Sequence, residues 1–152
     1  MSSGTSGAGQ VGDAGQKVRV WVDGGSRGNP GPSGIGVLIE DMGGGTLATI
    51  SRAIGVTTNN VAEYLALLAG LEKVQALGAT EVEVISDSEL LVRQMLGQYR
   101  VKNLGLRPLH AQARLLAAQF AEFSIRHLGR DHNAKADGLV NRALDEEERA
   151  GL

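Results

Sequence analysis

The sequence predicts an α/β fold in which helices flank a mixed sheet of five strands, in the order βββαβααβα. Three strand patterns follow one another with only short polar or glycine-rich segments between them, and strand and helix patterns alternate after that. Strands joined by short turns pair antiparallel, whereas a strand, helix and strand in succession pair parallel. A length of 152 residues suits one domain with a single core.

The first half of the chain is predicted to form the three antiparallel strands, a β-meander, and the first helix. The elements expected here are strands at 17–23, 35–41 and 46–54 and a helix from residue 59. Alternating Val18, Val20 and Val22 indicate a strand with one apolar face. Gly78 follows the last apolar residue of the helical pattern and is expected to end that helix.

The second half carries the alternating pattern. Its expected elements are a strand at 81–87, a helix at 88–96, a helix at 106–120, a strand at 123–128 and a helix at 133–144. We expect the domain to cover 17–145. The Gly- and Ser-rich residues 1–16 would be a flexible leader, natural or left from cloning, and 146–152 an acidic tail.

Composition restricts the possible functions. The formal net charge is −2, so nucleic-acid binding would depend on a local basic surface or on metal ions. The chain has no cysteine, which excludes disulfides and is easiest to reconcile with the cytoplasm. The sequence shows neither a membrane span nor a signal peptide. The pattern GAGQVG at 7–12 matches a dinucleotide-binding motif but lacks the strand that should precede it.

Four acids, Asp23, Glu63, Asp87 and Asp137, lie where predicted strands end or predicted helices begin. Each has a structural alternative: a turn for Asp23, a capping box with Asn60 for Glu63, a helix cap for Asp87, and the helix dipole for Asp137. The ends of strands are also where open α/β sheets build their sites. Four converging carboxylates would need raised pKa values or divalent cations, and oxygen ligands of this kind favour Mg²⁺ or Mn²⁺.

Four segments together resemble the ribonuclease H type 1 family. They are DGGSRGNPGPSG at 23–34, TTNNVAEYLALLAGL at 57–71, ISDSELLVRQM at 85–95 and HNAKADGLVNRAL at 132–144. Their order and spacing are those of the family, and the likeness extends from about Lys17 to Asp145. The string HLGRDHNAKAD is similar to the archaeal-type subgroup, without an N-terminal hybrid-binding domain.

The resemblance implies a ribonuclease H-like fold and an endonuclease that cuts the RNA strand of RNA/DNA hybrids. Catalysis would use two Mg²⁺ ions, which Mn²⁺ could replace, and would leave 5′-phosphate and 3′-hydroxyl ends. Asp23, Glu63, Asp87 and Asp137 are the counterparts of the family's metal ligands. The expected partner is the hybrid alone, bound by a monomer without an obligate protein partner.

The resemblance also implies further site residues. Arg130 is the expected catalytic helper before the last helix, with His127 and His132 as alternatives. The expected substrate contacts are Gly24, Gly28 and Asn29 to the RNA strand, Thr58 and Asn60 to the DNA strand, and Ser88. Arg27 is either a phosphate contact or a solvated charge.

Two features depart from the family. Glu89 stands where many relatives have a neutral Gln, and the segment RQMLGQYRVKN lacks their basic protrusion. The alternatives in function are a binding module without catalysis and a metal-dependent nuclease for another substrate, such as duplex RNA or junctions. A nucleotide-binding enzyme is disfavoured, because the sequence has no phosphate-binding loop of the G-x-x-x-x-G-K-[ST] type.

Overall fold

The computed structural model describes residues 16–151. Its elements are β1 Lys17–Ser26, β2 Gly31–Asp41, β3 Thr46–Thr57, α1 Asn59–Leu77, β4 Glu81–Ser86, α2 Glu89–Met95, α3 Arg107–Ala117, β5 Glu122–His127, a 3₁₀ turn Arg130–His132, and α4 Ala134–Ala150. The predicted order βββαβααβα is confirmed. Apart from Gln16, the predicted leader and its glycine motif lie outside the described residues. Among the helices of 16–151, none has the length and apolar character needed to cross a membrane.

The five strands form one mixed sheet in the order β3-β2-β1-β4-β5. β1 is the central strand, and it pairs antiparallel with β2 and parallel with β4, so that Val20 lies opposite Ile39 on one side and Val84 on the other. The antiparallel meander and the parallel strand pairing predicted from the sequence are therefore both confirmed. Because β1 and β4 run parallel, Asp23, which lies within β1, and Asp87, which directly follows β4, are directed to the same edge of the sheet.

Helices cover both faces of the sheet, and close approaches at glycines fix their positions. α1 packs on one face, where a Cβ added to Gly70 would lie 3.1 Å from Val20 Cγ1. α4 packs on the other face, where a Cβ added to Gly36 would lie 2.2 Å from the Ala136 carbonyl oxygen. The largest fully buried side chains are Tyr64, Ile35, Ile39, Leu67, Leu71, Ile85, Leu91, Val18, Val20, Val22, Val37 and Val74.

The hairpin between β1 and β2 is longer than predicted. The glycines after Asp23 suggested a loop, but Gly25 and Ser26 remain paired with Gly34 and Ser33 as strand. Strand pairing satisfies the backbone groups of this segment, and the missing glycine side chains leave room for the helices on either face. Only residues 27–30 form the turn, which Arg27 closes by donating its N–H to the Pro32 carbonyl at 2.8 Å.

The last helix is also longer than predicted. Its predicted end was Leu144, whereas α4 continues to Ala150 and includes most of the segment 146–152 expected as a tail. Glutamate and alanine are good helix formers, and Arg142 Nε pairs with Glu146 Oε2 at 3.4 Å one turn later. The acidic run 145–148 therefore lies within α4.

Replacing Gly36 by Ala should destabilise the protein. The new Cβ would lie 2.2 Å from the Ala136 carbonyl oxygen and 2.9 Å from Leu139 Cβ, so α4 would have to move. We expect the free energy of unfolding in urea to fall by about 1–3 kcal/mol. The matched control is Gly138→Ala on α4, where the Cβ would meet open space, and we expect about 0.5–1 kcal/mol of added stability. Equal stability of Gly36→Ala and wild type would contradict the close packing.

Candidate active site

Asp23 is the central residue of the site. It lies on β1, the central strand, and is 6% exposed. Beside it, the Asn133 amide Nδ2 donates to the Val22 carbonyl at 3.0 Å and attaches the start of α4 to β1. Because α4 begins at Ala134, this contact brings the first turn of α4, and with it Asp137, to the Asp23 carboxylate.

Glu63 reaches the site because α1 passes unusually close to β1. A Cβ on Gly24 would lie 2.3 Å from the backbone carbonyl of Ala62, so only glycine allows this approach. The Gly24 N–H then donates to Glu63 Oε1 at 3.0 Å. The capping-box alternative for Glu63 is wrong, because α1 is capped by Thr58, whose Oγ1 accepts from the Val61 N–H at 3.2 Å.

Asp87 completes a compact group of acids. It directly follows β4, and its side chain is 6% exposed. One carboxylate oxygen from each of Asp23, Glu63 and Asp87 can be chosen so that all lie within 4.8 Å of one another. The helix-cap alternative for Asp87 is wrong, because Ser88 Oγ caps α2 by accepting from the Leu91 N–H at 3.2 Å.

Asp137, on α4, borders a cavity that Asp23 and Glu63 also line. The cavity has a volume of about 420 Å³, and its walls include Asp23, Glu63, Arg130 and Asp137. Asp137 can accept a hydrogen bond from a protonated Asp23 carboxyl. The structure therefore brings together all four acids singled out in the sequence, three of them in a tight group and the fourth beside it.

The electrostatics of the site follow from burial and like charge. Burial, with Asp87 and Asp137 nearby, raises the pKa of Asp23 from 3.8 to about 8. Burial next to Asp23 and Asp87 also raises the pKa of Glu63 well above its usual value, although the Gly24 N–H opposes this. These carboxylates need either protons or cations. Clustered carboxylate oxygens are the donors that Mg²⁺ and Mn²⁺ prefer, so the residues present fit such ions.

Of the three predicted helpers, Arg130 is the one that lies beside this group of acids. Its Nε lies 3.9 Å from Asp87 Oδ2, and its side chain is 87% exposed. His127 lies exposed at the end of β5, and His132 borders a separate cavity beside Trp21. Of the three helpers considered, Arg130 is the one that lines the cavity of the carboxylates.

The predicted substrate contacts lie around the hairpin turn and the start of α1. Gly28 occupies the turn with φ +90, a left-handed conformation that favours glycine. Asn29 Oδ1 accepts from the Asn59 N–H at 3.0 Å, next to the Thr58 cap, and Asn60 is exposed on the first turn of α1. Gly24 and Ser88 each have a structural task as well, in helix packing and helix capping.

Three features of the site were not predicted from the sequence: the positions of Asn59 and Asn141 and the ion pairs of Arg27. Asn59 lines the cavity and accepts from the Ser26 N–H at 2.9 Å, and Asn141 lines it one turn after Asp137. The i, i+4 spacing from Asp137 was the available signal for Asn141. Arg27, expected to contact a phosphate or to be solvated, is ion-paired with two acids of α4, and 35% of its side chain is exposed.

Comparison with known proteins identifies relatives over most of the chain. A family model described as reverse transcriptase-like matches residues 21–143. The chain is 48% identical over 130 residues to the bifunctional protein Rv2228c of Mycobacterium tuberculosis, across 85% of this chain and 36% of that protein. It is 40% identical over 134 residues to ribonuclease HI of Halobacterium salinarum, across 88% of this chain and 67% of that protein.

Solved structures show the same fold. The crystal structure of the Halobacterium salinarum ribonuclease H1 matches with a TM-score of 0.84 at 40% identity, covering 86% of this chain and 98% of that one. LC11-RNase H1 in complex with an RNA/DNA hybrid matches with a TM-score of 0.82 at 47% identity, covering 86% and 98%. The chain spans about a third of the length of the mycobacterial relative, 36%.

Replacing Asp23 by Asn should stabilise the metal-free protein at high pH. With a pKa of about 8 in the folded protein against 3.8 ordinarily, the carboxyl holds its proton more tightly when folded. Stability of the wild type should therefore fall as the pH rises from about 4 to about 8, by at most about 1.4 kcal/mol per pH unit for one group. Asn, which cannot ionise, should flatten this decline in urea unfolding with chelator present.

The matched control for this measurement is Asp131→Asn, which removes an exposed acid from the neighbouring 3₁₀ turn. It should leave the pH dependence of stability as in the wild type. Loss of stability in Asp23→Asn at every pH would show that the carboxylate supports the fold rather than straining it.

Proposed function

Because the chain belongs to the ribonuclease H type 1 family and is similar to its archaeal members, we propose that it is an endonuclease hydrolysing the RNA strand of RNA/DNA hybrids. The observation that supports this most strongly is the group of three carboxylates, Asp23, Glu63 and Asp87, with oxygens within 4.8 Å of one another. Asp137 lines the same cavity as Asp23 and Glu63. Cleavage would depend on two divalent ions, in the first place Mg²⁺, and would leave 5′-phosphate and 3′-hydroxyl ends.

Asp23, Glu63, Asp87 and Asp137 are the residues that would hold the ions. When bound, such ions supply charge neutralisation and polarise a water molecule and the scissile phosphate. The protein's own part is to hold the carboxylates in place: β1 carries Asp23, and the Gly24 N–H fixes one oxygen of Glu63 at 3.0 Å. Fixed ligands of this kind need little reorganisation during phosphoryl transfer.

Arg130 would assist electrostatically rather than as an acid or base. A guanidinium stays protonated at any pH at which the protein is folded, so it cannot accept a proton from the attacking water. The Arg130 side chain is 87% exposed, and its Nε lies 3.9 Å from Asp87 Oδ2, so it can rotate toward a phosphate and still remain beside the carboxylates. We propose that it neutralises charge on the scissile or the neighbouring phosphate.

The hybrid would be recognised by the hairpin turn and the start of α1. Asn29 uses its Oδ1 to accept from the Asn59 N–H, which leaves its Nδ2 to donate to a 2′-hydroxyl. Gly24 and Gly28 would let the RNA strand approach the backbone, with Thr58, Asn60 and Ser88 beside the opposite strand. Contacts to sugars and phosphates carry no sequence information, so we expect selection for hybrids rather than for sequence.

The named relatives support the substrate class. The Halobacterium protein is named a ribonuclease HI, and the LC11-RNase H1 structure contains an RNA/DNA hybrid. The net charge of −2 also agrees with a site in which metal ions supply part of the positive charge that a nucleic acid needs. The monomeric state and the absence of an obligate protein partner stay predictions.

Asp87→Asn should abolish cleavage with the fold retained. The change removes a carboxylate oxygen from the group of three while keeping the size of the side chain, so both the ion site and its charge are lost. The assay uses one end-labelled RNA/DNA hybrid beside matched duplex RNA, duplex DNA and single-stranded RNA, with Mg²⁺ or chelator. We expect the wild type to cut only the RNA strand of the hybrid, and only with metal, at a rate reduced at least about 100-fold in the variant.

Asp131→Asn serves again as control and should cut like the wild type. Wild-type cleavage of duplex RNA as fast as of the hybrid would contradict hybrid selectivity and favour a broader nuclease. No cleavage of any substrate with Mg²⁺ or Mn²⁺ would contradict the enzymatic function and favour a binding module.

A further inference from the structure

One face of α4 connects the site to the acidic run near the end of the helix. Asp137, Asn141, Asp145 and Glu148 are spaced by four, four and three residues, which places them on the same face of a helix with 3.6 residues per turn. Arg27, at the turn between β1 and β2, lies against this face. The proposed catalytic residues include only the first of these five.

The contacts along this face form a continuous chain. Arg27 Nη1 pairs with Glu148 Oε2 at 2.8 Å, and Arg27 Nη2 pairs with Asp145 Oδ1 at 2.8 Å. The same Nη2 donates a long hydrogen bond of 3.5 Å to Asn141 Oδ1. Asn141 Nδ2 then donates to Asp137 Oδ2 at 3.3 Å.

This chain determines which way the Asn141 amide points. A guanidinium can only donate and a carboxylate can only accept, so the amide must turn its oxygen to Arg27 and its NH₂ to Asp137. The opposite orientation would place oxygen against the carboxylate and NH₂ against the guanidinium. Two α4 acids, Asp145 and Glu148, anchor Arg27, and the amide orientation is thereby fixed by residues outside the group of carboxylates.

We infer that Asn141 is a positioning residue for Asp137, and that Arg27, anchored by Asp145 and Glu148, sets the Asn141 amide for this task. The inference rests on the proposed function. Asp137 lies in the first turn of α4 and lines the cavity, where one of its oxygens accepts from Asn141 and the carboxylate also faces Asp23. Holding that first oxygen would restrict rotation of the carboxylate and direct the second toward the ion site. The role assigned to the acidic run is therefore structural support of the site.

The test compares Asn141→Ala, Arg27→Ala and the double variant with Arg142→Ala. Arg142 adjoins Asn141 on α4 and pairs with Glu146, so its variant controls for an exposed change on the same helix. Two quantities are measured: kcat and KM on the hybrid, and the Mg²⁺ concentration that gives half of the metal-induced rise in melting temperature without substrate. The metal-free melting temperature of each variant shows whether the fold is retained.

We expect Asn141→Ala to lower kcat about 10-fold or more and to raise the half-effective Mg²⁺ concentration, since removing a group that orients a metal ligand typically costs 10- to 100-fold. KM for the hybrid should change less than about twofold, because both ends of the Asn141 amide are already engaged, by Arg27 and by Asp137. Arg27→Ala should shift kcat and the Mg²⁺ requirement in the same direction by a smaller factor. The double variant should be no worse than Asn141→Ala, because both changes interrupt one chain. Arg142→Ala should match the wild type.

A raised KM with unchanged kcat would overturn the inference, since it would make these residues substrate contacts, and so would multiplicative effects in the double variant. Unchanged kcat and Mg²⁺ dependence in Asn141→Ala would also overturn it. If the wild type cuts no hybrid, the proposed function fails, and the Mg²⁺ dependence of the melting temperature still decides whether Asn141 orients Asp137. A wild type without any Mg²⁺-induced shift would contradict both.

Discussion

The site depends on one constraint: several carboxylates of like charge lie close together where they are buried. Asp23 and Glu63 both have raised pKa values because they are buried beside other carboxylates. A protein that needed only stability would replace one of these acids by a neutral residue of the same size. The arrangement is explained if divalent cations supply the missing positive charge. The loss of stability that the carboxylates cause in the metal-free protein is then a consequence of the function.

The fold meets this constraint with backbone geometry. Gly24 lets α1 come close enough for Glu63 to reach the strand that carries Asp23, and Gly36 lets α4 lie flat on the opposite face with Asp137 at its start. Asn133 fixes the beginning of α4 to the backbone of β1. Asp23, Glu63 and Asp137 are therefore held by β1, α1 and α4, and Asp87 follows β4, so the positions of the carboxylates are set by tight packing of these elements rather than by the carboxylates themselves. This explains how the group persists despite its repulsion.

The element order, the mixed sheet and the four acids could be predicted from the sequence, because apolar periodicity and motif spacing are local properties. The ends of elements could not be predicted as well: the glycines after Asp23 look like a loop, and only pairing with β2 shows that they continue the strand. The roles of Gly24 and Asn141 depend on contacts between distant segments. The ion pairs of Arg27 could not be predicted for the same reason, since its partners Asp145 and Glu148 lie more than one hundred positions away.

The central claim is that cations replace protons in a strained group of carboxylates, and proton release on metal binding tests it most directly. Mg²⁺ is added to the chelator-treated, weakly buffered protein at about pH 7, and released protons are counted against Asp23→Asn and the control Asp131→Asn. With the Asp23 pKa at about 8 in the metal-free protein, we predict proton release from the wild type and from Asp131→Asn, and reduced release from Asp23→Asn. Equal release from all three proteins, or Mg²⁺ binding without any release, would contradict the account.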